Sequence, residues 1–140
     1  ILRPGPLTAA QLTERLGAPV HEHRADTASA RSPGQRARHY APSVPAVRVG
    51  SLAEAVALGL GPHDALVVIG HGAPALDTGA TVVVLPDPQT AARRLYAVLR
   101  ECDAPPTRRM VIVLPPQEPQ WHALADRLLR ATTTVPRQAR

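Results

Sequence analysis

This chain of 140 residues has no lysine, no phenylalanine and a single cysteine, and its aromatic residues are one tryptophan and two tyrosines. Each scarcity removes a class of explanation. One cysteine makes neither an internal disulfide nor a thiolate zinc cluster, which fits a reducing compartment, and Cys102 reads as a small apolar residue on a helix. With aromatics at 2%, stacking partners for nucleic-acid bases are few. No apolar run approaches the roughly 20 residues needed to cross a bilayer and no signal-peptide pattern is seen, so a cytoplasmic protein with no membrane contact is expected.

What is present is plainer. All of the 16 basic residues are arginine, set against 11 acidic ones for a formal charge of +5. They are scattered among the acids, which reads as a generic basic surface more than a nucleic-acid patch. An apolar content of 44% supports one modest globular domain of about 90 to 100 residues with extensions.

Along the chain, Ile1-Leu2-Arg3-Pro4-Gly5 reads as the end of a strand entering a turn, so the sequence is expected to begin inside a larger protein. Thr8 with Gln11 forms a capping box, Leu7 can staple onto Leu12, and Gly17 stops a short helix whose apolar face is Leu12 and Leu16. That face is too small to hold a helix by itself. Residues 18–45 show no period of 2 or 3.6 and form a linker of unusual length.

A regular alternation follows, with strands predicted at Ala46–Gly50, Ala65–Gly70, Thr81–Leu85 and Met110–Leu114, and helices at Leu52–Leu60, Pro88–Cys102 and Gln120–Ala131. Continuous apolar runs suit buried parallel strands, so the order β-α-β-β-α-β-α predicts an α/β domain with a mainly parallel sheet. Leu95, Val98, Leu99 and Cys102 share one helical face, as do Trp121, Leu124, Ala125, Leu128 and Leu129. Asp87 before Pro88 is an N-cap followed by proline at the first helical position. Residues from Thr132 onward are polar and expected to fray.

Within the linker, SPGQRARHYAP combines restriction with chemistry. Pro33 and Pro42 fix their own φ and push Ser32 and Ala41 toward extended backbone, while Gly34 admits turns that other residues resist. Arg36, Arg38, His39 and Tyr40 between them suit an anionic or aromatic ligand. Elsewhere, Gly70-His71-Gly72 lacks a third glycine and does not open a helix directly, so it reads as an ordinary strand-end loop. His21-x-His23 has no further ligands beside it and reads as solvated rather than metal-binding. Arg93-Arg94 and Arg108-Arg109 read as solvated charges, and Arg127 as a structural ion-pair residue.

SPGQRARHYAP resembles the SPG-x4-HYAP linker of the long, two-domain form of the YrdC-related threonylcarbamoyl-adenylate synthases. Three more segments are similar in order and spacing. Ile1-Leu2-Arg3-Pro4-Gly5 resembles the end of the catalytic domain. Ala92 to Arg100 with Asp103 resembles the A-x-x-LY-x-x-LR-x-x-D helix of the C-terminal domain, and Trp121 to Ala131 its W-x-A-x-x-DRL-x-RA helix. The resemblance implies four regions: residues 1–17 as a remnant of the catalytic domain, 18–45 as a lid-like linker, 46–132 as a three-layer Rossmann-like domain, and 133–140 as a tail.

The resemblance further implies that the parent enzyme condenses threonine, bicarbonate and ATP into threonylcarbamoyl-adenylate and pyrophosphate for tRNA modification. ATP is then a substrate, accompanied by Mg2+ in the parent, and the YrdC-like catalytic domain is the partner. The family's K-x-R and S-x-x-N segments lie upstream of Ile1, so this chain holds no catalytic residue, no metal site and no cofactor of its own. Arg3 has the donor fork for phosphate oxygens, Tyr40 offers a ring or hydroxyl to the nucleotide, and His39 either contacts ATP or anchors the loop. Ser32, Pro33, Gly34, Arg38, Ala41 and Pro42 define the lid and its hinge, with Ser32 a turn former rather than a nucleophile. Ala37 stands where the family often has an aromatic. The other reading, from a different class, is a stand-alone nucleotide- or RNA-binding module without catalysis; contact with tRNA has no residue signal of its own.

Overall fold

Asp87 shows how local chemistry starts an element here: its carboxylate accepts the Thr90 N–H at 2.8 Å, and Pro88 supplies a first residue with pre-set φ. The computed structural model describes residues 1, 5, 7–21 and 41–135. Its elements are α1 (Ala9–Leu16), β1 (Ala46–Val49), α2 (Leu52–Ala57), β2 (Asp64–Ile69), β3 (Thr81–Leu85), α3 (Pro88–Cys102), β4 (Arg109–Val113), α4 (His122–Ala131) and β5 (Thr133–Thr134). A 3-10 turn, Pro119–Trp121, leads into α4.

The five strands form one sheet in the order β3-β2-β4-β1-β5, and every neighbouring pair is parallel. Ala65 to Ile69 and Met110 to Val113 have no solvent exposure, which is why their sequence is apolar without alternation. On one face Ala65, Val67, Ile69, Met110 and Ile112 pack under α3 and α4 with Leu95, Val98, Leu124 and Leu128. On the other, Leu66, Val68, Val111 and Val113 meet Ala55 of α2 and Leu60. Each fully buried leucine or valine contributes about 1.5–3 kcal/mol. The result is the α/β domain with a parallel sheet that the apolar pattern predicts, in the three layers that the family resemblance implies.

The element bounds shift where single contacts decide them. The second helix stops at Ala57, short of the expected Leu60, because Gly59 takes a left-handed φ of 63°. β2 and β4 begin one residue early, at Asp64 and Arg109, where the two side chains pair. The largest difference is at Thr132 to Thr134, where fraying is expected. Thr132 is buried, and Thr133 and Thr134 pair with Val47 and Arg48. Arg48 Nη1 donates to the Thr132 carbonyl at 2.5 Å, and the Thr132 hydroxyl donates to Leu128 O at 2.6 Å. Those bonds hold a polar end that propensity alone would release.

α1 has both predicted caps, the Thr8–Gln11 box and Gly17 at φ 63°, yet none of its residues is buried. Leu7 and Leu16 stay 55% and 67% exposed. No described helix is long and apolar enough to cross a membrane.

Candidate functional site

The linker enters the domain through Pro42-Ser43-Val44-Pro45, and it does so on α3. Tyr96, Leu99, Arg100 and Asp103 recur at i, i+3, i+4 and i+7, so they form one stripe along the helix and past its end. Ala41 and Pro42 lie against this stripe, and the six residues enclose a depression of about 180 Å³. Asp103 caps the helix, its N–H donating to Arg100 O. Its two carboxylate oxygens accept the Ser43 and Val44 N–H groups, each at 2.8 Å. Burial pushes the Asp103 carboxyl up, but the bonds from Ser43 and Val44 outweigh it and hold the group below its ordinary value. From there Pro45 O accepts the Met110 N–H at 2.9 Å, and the chain becomes β1.

Thus two segments that carry the family resemblance, the end of HYAP and the helix ending in Asp103, meet in one place. Ala41 is exposed and Pro42 half-buried. Arg3, Ser32, Pro33, Gly34, Arg38, His39 and Tyr40, read as nucleotide contacts and lid, lie outside the described residues, as does His23. His21 is exposed, and among the described residues no three of His, Cys, Asp and Glu come together as a metal site.

The opposite edge of the sheet, at the C-terminal ends of the strands, is where open α/β sheets hold ligands. From β2 the chain turns outward to β3, and from β4 it runs the other way to β5, so the crevice between β2 and β4 is the natural position. Here it is filled. Gly70 takes φ 71°, and a Cβ on it would stand 2.5 Å from Pro116 Cδ and 2.8 Å from Trp121 Cζ2. The glycine makes room for Pro116 and the Trp121 indole. His71 lies 3.1 Å from the Leu114 carbonyl through Nε2; a carbonyl only accepts, so that nitrogen carries the proton. The strand-end loop is therefore tied across the sheet.

Two arginines have more specific roles than solvated charge. Arg109 donates to both Asp64 oxygens, at 2.8 and 2.7 Å, and to Gly59 O at 3.1 Å. Its hydrogen bond holds the Asp64 carboxyl below the ordinary value against the effect of burial. Arg130 pairs with Asp126 at 2.6 Å, whereas Arg127 Nε is buried without a hydrogen-bond partner among the described residues. Neither the Arg109–Asp64 pair nor the Asp103 clamp has a local sequence signal, since the partners lie 45 and about 60 positions apart. Arg93 and Arg94 are exposed, and the Arg94–Glu101 contact at 3.7 Å contributes little.

An all-parallel sheet with helices on both faces defines a Rossmann-like α/β domain. The chain belongs to the family described as "Threonylcarbamoyl-AMP synthase, C-terminal domain", whose model matches residues 7–133. The crystal structure of P. abyssi Sua5 complexed with L-threonine shares the fold at a TM-score of 0.67 and 23% identity, over 96% of this chain and 43% of that one. The chain thus spans less than half the length of that protein. No curated protein sequence matches it closely enough to count as a relative.

Proposed function

We propose that this chain is the C-terminal portion of an L-threonylcarbamoyladenylate synthase, and that it serves as lid and regulatory domain for the catalytic domain. The parent reaction would join threonine, bicarbonate and ATP into threonylcarbamoyl-AMP with release of pyrophosphate, for tRNA threonylcarbamoyladenosine modification. ATP with Mg2+, threonine and bicarbonate would be held by the catalytic domain, and Arg3, His39 and Tyr40 would reach the nucleotide from this side. A lid that excludes water protects a reactive mixed anhydride from hydrolysis and strengthens polar contacts inside the pocket.

The observation that carries this reading is the fixed junction. The HYAP end of the linker is tied to α3 by Asp103, so the domain sets the base from which the linker departs. Adding this chain in trans to an isolated catalytic domain should change ATP turnover or nucleotide affinity; identical kinetics with and without it would overturn the proposal.

A further inference from the structure

We propose that β3 is the seam of a homodimer: two copies of this chain join antiparallel along this outermost strand, about a two-fold axis at Val83. The sheet order leaves β3 with a neighbour on one flank only, β2. Gly70 N–H donates to Leu85 O at 2.8 Å, which turns the backbone groups of Leu85 toward β2. Alternation along the strand turns those of Val83 and Thr81 the same way and those of Val82 and Val84 outward. Among the described residues no hydrogen bond reaches these outward groups. The strand also lacks what usually blunts such a flank: Thr81–Leu85 has no charge, no proline and no bulge in its register.

The occupant is argued from how the strand fits itself. With Val83 on the axis, Val82 of one copy stands opposite Val84 of the other, and each such pair exchanges both N–H···O bonds. The ladder then ends without an orphan donor. Its next pair would be Ala80 with Pro86; Pro86 has no N–H, and the Ala80 N–H already donates to Thr78 Oγ1 at 3.3 Å. The side chains agree. Val82 is 38% exposed on the face where Val84 borders an apolar cluster, so pairing lays it against Val84 of the second copy. Residues 80–86, which map onto themselves about Val83, carry no charge, and no like charges meet. Growth stops at two, because an isologous contact closes on itself and the sheet's other outermost strand, β5, is only Thr133–Thr134.

Sedimentation of this chain tests the proposal. Its mass should rise from one copy to two as concentration passes through about 100 µM, the range expected of a small interface; a single copy up to about 1 mM would overturn it. Val82→Lys and Val82→Glu each place like charges within reach of one another across the axis, and each should weaken association by at least about tenfold. Mixing the two variants should restore it, which unfolded proteins could not do. Leu129→Lys, at a 52% exposed position on α4, should leave association within about twofold. The inference fails if the Val82 variants associate as the parent does, if their mixture associates no better than either alone, or if Leu129→Lys is the change that separates the copies. It fails too if the chain joined behind the family's catalytic domain stays a single copy, since that domain would then hold the flank.

Discussion

The two edges of this sheet are built from different materials. At the strand ends, Gly70, Pro116 and Trp121 pack against one another, close to where such domains usually receive a ligand. At the strand starts, charged side chains reach across long stretches of sequence: Asp103 to Ser43 and Val44, Arg109 to Asp64, Arg48 to Thr132. The difference teaches that a familiar layered fold does not say where its work is done. Apart from the His71–Leu114 bond at the strand ends, the long-range side-chain contacts lie toward the edge where residues 42–45 enter β1.

The contrast can be broken most severely at Gly70. Alanine there must adopt a positive φ and meet Pro116 and Trp121 inside van der Waals distance, so a loss of about 2–4 kcal/mol is expected in chemical denaturation. Adding Trp121→Leu should give back part of that loss; strictly additive effects would show that the indole is not what excludes the methyl group. At the polar edge, Arg109→Gln should cost less, about 1–2 kcal/mol, because the Asp64 carboxylate left behind, though only 13% exposed, still accepts the Gly61 N–H. The smallest effect is in acid. Asp64 and Asp103 are both held below the ordinary carboxylate value in the folded state, so each contributes stability that is present above about pH 4 and is lost as pH falls through the folded value. Denaturation midpoints should be flat toward neutral pH and drop below about pH 4, and Asp64→Asn should make that drop shallower; an unaltered acid limb would deny Asp64 the role.

How much of this was legible in the chain depended on distance. α3 runs over the predicted residues, Pro88 to Cys102, because its start is decided by Asp87 and Thr90 three positions apart and its face by a 3.6-residue period. β2 and β4 were readable as apolar runs, but their first residues were not, since Asp64 and Arg109 enter the strands only through each other. β5 was invisible: two threonines after a helix say nothing until Arg48 and Thr132 are placed side by side. Asp103 was noticed only as part of a family pattern, and its partners are backbone groups, which leave no trace in residue identity. Gly70 read correctly as a strand-end turn, although the indole that requires it lies some fifty positions later.

The proline-framed entry segment has one more consequence. Had the clamp gripped a uniform stretch of backbone, the linker could slide past Asp103 by a residue and rebind in the new alignment. Pro42 and Pro45 forbid this, because a slip of one position in either direction would bring a residue with no N–H to the carboxylate. The junction therefore has a single register, and every residue upstream is counted from a fixed zero, as on a ruler whose first mark cannot move.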